Sequence, residues 1–334
     1  MRFRLAGFGV CVAAASLLYP GAAGAATVRS TSSVTCGMAV TTSITLTHDL
    51  NCPGVALSVQ NDGRTPIAIT VDLGGHTVTS SGRVTIEARD HTVTMTLRNG
   101  RIGGAGTAVE DEGASDVYTR LTFDGAGIIS VNDSSPSIIY CGFIHGAFVN
   151  AGENSIDIEH NIFNGFGATP NRAGVAIGLS LTYSTVVGNF ITGYGTGVSV
   201  SDDLGSADVR SNVLVRNGTG IRVAGPHLPA TIKGNVVIAS RGDGIVIGDG
   251  TNSEVTGNTT LLNGGDGIRI DPSRLSNTLP TRGIIARLSR NVSLANVGWG
   301  IEAPPASASI AVVDGGRNSA HFNRAGQCRN FPCR

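Results

Sequence analysis

Arg222 and Arg269 occupy the same place in two quartets, Gly220-Ile221-Arg222-Val223 and Gly267-Ile268-Arg269-Ile270. If the quartets are equivalent strands, the two guanidinium groups point the same way. A pair of such forks suits bidentate recognition of carboxylates. Asp202 and Asp249 follow two further quartets, Gly197-Val198-Ser199-Val200 and Gly244-Ile245-Val246-Ile247, at a common offset. Strands two apart in a sheet put such carboxylates about 9–10 Å from each other, near the upper end of the gap that inverting glycosidases use. Asp271 shares an outward column with Ser201. A lyase would use the same residues differently, with Arg222 or Arg269 neutralising a uronate carboxylate and a nearby base taking the acidified proton. The candidate bases are Tyr194, His227 and Lys233. His227 lies in the loop Ala224-Gly225-Pro226-His227-Leu228-Pro229, and Tyr194, His227 and Asp203 are the candidate substrate contacts. The competing reading is a solvated face, since Arg, Asp and Ser spaced along an exposed sheet are also what solubility requires.

These residues share columns only because the chain repeats. Ile158-Glu159-His160-Asn161-Ile162-Phe163, Val186-Val187-Gly188-Asn189-Phe190-Ile191, Val209-Arg210-Ser211-Asn212-Val213-Leu214, Ile232-Lys233-Gly234-Asn235-Val236-Val237 and Val255-Thr256-Gly257-Asn258-Thr259-Thr260 have one frame. Their asparagines step by 28, 23, 23 and 23 residues, and a step of 33 reaches Asn291. Short β-branched runs with Gly/Asn turns at this period mark a solenoid in which each repeat is one coil. The fold class is therefore all-β, a parallel β-helix of about ten coils and roughly 45–50 Å in length. Val198, Ile221, Ile245, Ile268 and Ile301 should stack inward, with Ser199, Arg222, Val246, Arg269 and Glu302 outward. Phe143 and Phe163 are spaced as an inward stack. The asparagines read as scaffold, adopting the left-handed backbone of a corner and bonding amide to amide between coils.

The ends have other duties. Arg2 and Arg4, an apolar run from Leu5 to Leu18 and the small residues up to Ala26 read as a secretory signal over residues 1–26. The apolar run is too short to span a membrane, so a soluble, exported protein is expected. Residues 27–65 are expected to form an N-terminal cap, 66–318 the helix and 319–334 a C-terminal cap, because raw strand edges must be covered. In an oxidising compartment Cys36 with Cys52, and Cys328 with Cys333, are the natural disulfides, and Cys141 is a buried small hydrophobe. Two segments break the period, Ala168 to Arg172 and Asp271 to Arg282, and insertions in repeat proteins often carry binding.

Composition narrows the partners. Formal charge is zero, and Lys233 is the lone lysine among 24 basic residues, so no basic stripe for nucleic acid exists. Glycine reaches 47 of 334 residues while 41% are hydrophobic, the mark of a turn-rich folded chain. Glu110-Asp111-Glu112 could bind calcium through carboxylate oxygens, but an acidic corner is the plainer reading, and no cofactor is expected. His48, His76, His91, His145 and His160 scatter over different coils and read as structural or surface residues. Tyr183, Tyr194 and Trp299 are the possible sugar platforms.

The Gly-Asn turns followed by Gly-[Ile/Val]-x-[Ile/Val] strands resemble the right-handed parallel β-helix repeats of the pectate-lyase-like superfold. Cys36, Thr45 through Gly54 and Val71-Asp72-Leu73-Gly74-Gly75-His76-Thr77-Val78 look like the opening of secreted actinobacterial β-helix proteins. Val313-Asp314-Gly315-Gly316-Arg317-Asn318 and the final cysteine pair look like their close. The resemblance covers nearly the whole mature chain and is specific for fold. It implies action on an acidic polysaccharide or cell-surface glycan by a secreted, monomeric lyase or hydrolase, with the groove along residues 197–303. The alternative is a non-catalytic glycan-binding or surface-structural protein. The superfold's site motifs are missing. Asp271-Pro272 is followed by Ser273 where mannuronan epimerases carry His, the polygalacturonase set survives only as Asp202-Asp203, and no aspartate run matches pectate lyase.

Overall fold

The computed structural model describes residues 33–334 except 62, 64, 105, 114, 126, 131–133, 153–154, 167–171, 179–182, 202–204, 226–228, 249–251, 273–283 and 306–309. The segment read as a signal lies outside the described residues, as do Asp202, Asp203, His227 and Asp249. Every regular element among the described residues is a β-strand, and no helix there is long and apolar enough to cross a membrane.

One coil shows the construction. Tyr183–Val187 leads through a tight turn at Gly188-Asn189 into Phe190–Thr192, and a corner at Gly193 to Gly195 leads into Thr196–Ser201. Each strand pairs in parallel with its counterpart one coil on: Val186 with Val209, Ile191 with Leu214, and Val198 with Ile221. Three sheets result. Sheet 1 holds the Gly-Ile-x-Ile strands and has 13 members. Sheet 2 precedes the asparagine turn and sheet 3 follows it. The latter two are continuous through Val93–Gly104 and Val117–Asp124, which run from one sheet into the next without a break. The chain is a parallel β-helix of about 11 turns, slightly more than the repeats alone suggest. Twelve strand spacings along sheet 1 give a length of about 58 Å, longer than expected because strands begin at Met38 and continue to Arg329. Regular coil therefore extends into both segments expected as caps.

The core follows the alternation. Val198, Ile221, Ile245, Ile268 and Ile301 form one fully buried column. Phe123, Phe143 and Phe163 stack face to face with centroids 4.9 and 4.3 Å apart. Stacking like on like fills the interior with identical shapes at one strand spacing, which removes voids that cost stability. Val246 departs from the pattern, being buried although its column points outward. It is a short side chain between two long ones, Arg222 and Arg269, in register.

The asparagine turn works differently from the sequence reading. The left-handed residue is the one before each asparagine: His160 at φ 55°, Ser211 at 55° and Arg290 at 55°, with Gly188, Gly234 and Gly257 in the same place. The asparagine itself keeps ordinary backbone angles and uses its amide as a clamp. Asn235 Nδ2 donates to Val209 O at 2.8 Å and to Asn258 Oδ1 at 3.0 Å, while its Oδ1 accepts from the backbone N and Nδ2 of Asn212, both at 3.0 Å. The ladder runs from Asn161 to Asn318, every member buried. Cys141 extends it upstream in position, its N–H donating to Asn161 Oδ1, and its thiol is buried and free. The disulfides are Cys36–Cys52 and Cys328–Cys333, as the sequence predicts. Such bridges mark an extracytoplasmic protein.

Candidate functional site

Two further columns, not seen in the sequence, flank sheet 1. Asn217, Asn263, Asn296 and Asn323 form a second buried ladder at the corner between sheets 3 and 1, in which Asn263 Nδ2 donates to Asn296 Oδ1 at 2.9 Å. Tyr194 and Ser240 hold the equivalent place in other coils, their amides donating to Asn217 and Asn263. That placement corrects the reading of Tyr194. Its ring is fully buried and its hydroxyl donates to Ala147 O at 2.5 Å, so it offers no surface to a sugar and no base to a substrate. Burial pushes its phenol well above the ordinary tyrosine range, where it cannot serve as a base at neutral pH.

The second column is acidic. Asp243 Oδ1 accepts from the N–H of Asp266 at 2.7 Å, and Asp266 Oδ1 accepts from the N–H of Trp299 at 2.6 Å. Each carboxylate therefore spends one oxygen on the corner and turns the rest of its charge to its neighbours, Asp243 to Arg269 and Asp266 to Glu302. Arg269 sits among them, its Nη1 3.5 Å from Asp243 Oδ2 and its Nη2 3.6 Å from Asp271 Oδ2. Burial works against the Arg269 charge, but Asp271, Asp243, Glu302 and Asp266 together raise its basicity further. One coil on, Glu302 accepts from Arg329 Nη1 at 2.9 Å. Arg269, Pro272, Glu302, Pro304, Pro305 and Arg329 line a cleft of about 140 Å³. It is smaller than a cavity for a drug-sized ligand, about 300 Å³ or more, and suits one ring of a chain lying across the sheet.

Asp266 is the group with unusual acidity. Burial, a hydrogen bond with Glu302 and the charges of Asp243 and Glu302 push its carboxyl up to about 7, against the opposing N–H of Trp299. A carboxyl that keeps its proton to neutrality beside a second carboxyl is the arrangement that lets one group donate while the other accepts.

The structure brings together Arg269 and Asp271 of the candidate residues and adds Asp243, Asp266, Glu302 and Arg329. The signal for Asp243 and Asp266 was the repeated Gly-Asp-Gly of 242–244 and 265–267, indexed by the same 23-residue period. Arg222 lies on the same sheet two strands from Arg269, with no carboxylate partner among the described residues. Lys233 is exposed on sheet 2, in register with Arg210 and Thr256, and does not reach this cleft. The acidic run at 110–112 does not converge either. Glu110 faces out to Arg83 at 3.3 Å and to Arg89, whereas Asp111 turns inward to Tyr118. Among the described residues no group of three or more His, Cys, Asp or Glu side chains is placed to hold a metal ion. A larger trough of about 440 Å³ on sheet 2 is lined by Tyr183, Asn252, Glu254, Ile285 and Arg287 among others, without a carboxyl pair of this kind.

A family profile described as periplasmic copper-binding protein (NosD) matches residues 182–296. None of the curated proteins matches the chain. Among solved structures, a double mutant of the periplasmic alginate epimerase AlgG is similar at TM-score 0.50 and 12% identity, covering 87% of this chain and 78% of that one. The tailspike of E. coli bacteriophage HK620, solved with a pentasaccharide, follows at TM-score 0.44 and 15% identity, covering 83% and 60%. The A-module of the Azotobacter vinelandii mannuronan C-5 epimerase AlgE4 gives 0.30 and 11%, covering 86% and 89%. The AlgG likeness supports the fold: the chain is a right-handed parallel β-helix repeat protein. The copper in the profile's description finds little to bind it here. Residues 182–296 contain one histidine, His227, and no cysteine or methionine, whereas copper favours imidazole, thiolate and thioether donors. That donor set does not fit.

Proposed function

We propose that this protein is exported and cleaves an acidic polysaccharide by β-elimination in the sheet 1 cleft around Arg269 and Glu302. The observation that carries the proposal is the Asp266–Glu302 carboxyl pair, in which burial and then the hydrogen bond with Glu302 push Asp266 up to about 7, beside two arginines at a cleft of one-ring size. Arg269 and Arg329 receive the uronate carboxylate and stabilise the negative charge that builds on it as the α-proton leaves. Glu302, on the cleft wall, takes that proton. Electrons of the broken C–H bond form the new double bond, the glycosidic C–O bond on the adjacent carbon breaks, and the departing oxygen is protonated by water. Asp266 positions Glu302. The names of the alginate epimerase and the tailspike support a glycan as the class of substrate, and the fold supports a long polymer, since the groove is open along the stack.

The reading replaces the bases expected from sequence with a carboxylate, and it keeps Arg269 and Asp271. Arg222 extends the groove as a second carboxylate contact. Purified protein is expected to generate the ultraviolet absorbance of an unsaturated uronate from alginate, pectate or a glycosaminoglycan. Arg269→Ala should lower turnover by about 100-fold or more, in line with loss of a group that stabilises developing charge. No absorbance and no new reducing ends across the panel would overturn catalysis, and retention on a polyuronate column in that case would establish the binding-protein alternative.

A further inference from the structure

Over the six strands from Ile162–Asn164 to Val292–Leu294, sheet 3 is apolar on both of its faces. Its inward column runs Phe163, Ile191, Leu214 and Val237, all fully buried. Its first outward column runs Ile162, Phe190, Val213, Val236, Thr259 and Val292 in unbroken register. The second outward column carries Val215, Ile238, Leu261 and Leu294 after Asn164 and Thr192. No ionisable residue interrupts either column over these six strands. Ile162 is 58% exposed, Phe190 41% and Val213 36%, and Leu262 and Val297 extend the patch at the corner. Sheet 2 shows how the same chain builds a solvated face, with Arg210, Lys233, Glu254 and Arg287 exposed along it. Strands that are apolar on both faces are the pattern of a sheet covered on both sides, and an exposed apolar patch of this extent marks an association surface.

We propose that the outer face of sheet 3 is a homodimer interface, covered by the same face of a second copy of this chain. Three features select that partner. The apolar rows recur at one strand spacing, about 4.8 Å, so a complementary surface must carry rows at the same pitch, and an identical sheet laid face to face provides them. The two outward columns carry no charge and the whole chain no formal net charge, with Arg216 and Arg290 exposed only at the turns that border them, so the face itself neither repels a second copy nor attracts a charged partner. Six strands about 29 Å deep and roughly 17 Å wide with the corners offer on the order of 500 Å² per copy, or about 1,000 Å² in all, the lower bound of a specific interface. A two-fold axis through the patch makes the contact closed, so assembly stops at two. Sheet 1 lies on another side of the coil and keeps its cleft open in the dimer.

Sedimentation equilibrium of the full mature chain tests this from sub-micromolar to tens of micromolar. The wild type should show a monomer–dimer equilibrium. Val213→Lys with Val236→Lys should raise the dissociation constant at least tenfold, as should Leu261→Glu by itself, while Thr231→Lys on sheet 2 leaves it unchanged. Because these side chains point away from the core, melting temperature and circular dichroism of the variants should match the monomeric wild type. A wild type that stays monomeric throughout, assemblies larger than two, or folded sheet 3 variants that dimerise as tightly as the wild type would each overturn the proposal.

Discussion

At the scale of single residues, the helix holds two protons that ordinary carboxyls would have lost. One is at Asp266, buried behind Glu302 of the cleft wall. The other lies deep in the N-terminal half, where Asp111, Asp116 and Tyr118 are buried together. Tyr118 donates to Asp111 Oδ2 at 2.7 Å and the Met95 amide donates to Asp116 Oδ1 at 2.7 Å. The remaining oxygen of Asp116 meets Asp111 and finds a donor only if one of the two carboxyls is protonated. Burial and the Asp111 charge push Asp116 up to about 8. A carboxyl raised on folding binds its proton more tightly in the native state, so its contribution is complete at acid pH and is lost as pH rises from about 4 towards 8. The melting temperature should fall between pH 5 and pH 8.5. Asp116→Asn, which keeps an acceptor for Met95 and supplies its own donor, should remove the Asp116 share of that fall, leaving the share of Asp266, and stabilise the protein at pH 8 by on the order of 2 kcal/mol. A pH-independent melting temperature in the wild type would contradict the shared proton. These pairs were hard to read from sequence because their meaning depends on depth. Glu110 and Asp111 are neighbours in the chain, yet one is outside and the other inside, and nothing in the letters sets the phase of the strand at that point.

At the scale of the element, the turn is the unit that repeats, and its economy explains what could be read. The 23-residue asparagine period was legible because every member is buried, and each must satisfy its own amide, the amide above and a carbonyl below. Substituting Asn235 by Ala removes four hydrogen bonds at once and leaves buried backbone groups without partners, at a cost of about 2–4 kcal/mol. A denaturation midpoint within experimental error of the wild type would rule out that role. Which residue of the turn bears the left-handed angle was not legible, since Gly, Ser, His and Arg all occupy that position and only the glycines advertise it. The second ladder was missed for a related reason. Tyr194 and Ser240 interrupt it in sequence while the backbone geometry continues through them. The same interruption misled the reading of Tyr194, an aromatic placed among corner residues that the fold turns inward.

At the scale of the whole molecule, one coil geometry carries three different outer faces. Sheet 2 is charged, sheet 3 is apolar over its six strands from Ile162 to Leu294, and sheet 1 gathers arginines and carboxylates around a cleft near its C-terminal end. Columns convert a linear sequence into these faces, so residues 23 or 33 apart become neighbours while adjacent residues are separated by the wall. The scaffold and the site are therefore separable, which is the central claim. Glu302→Gln keeps the shape and the hydrogen-bonding reach of the side chain and removes only its capacity to take a proton. Asn235→Ala removes scaffold bonds two coils away. Turnover of a polyuronate per folded molecule, measured alongside the melting temperature of both variants, tests the division most directly. Glu302→Gln should lose about 100-fold or more in turnover with the melting temperature of the wild type, and Asn235→Ala should melt several degrees lower with turnover per folded molecule unchanged. Wild-type turnover in Glu302→Gln, or its loss in folded Asn235→Ala, would contradict the account.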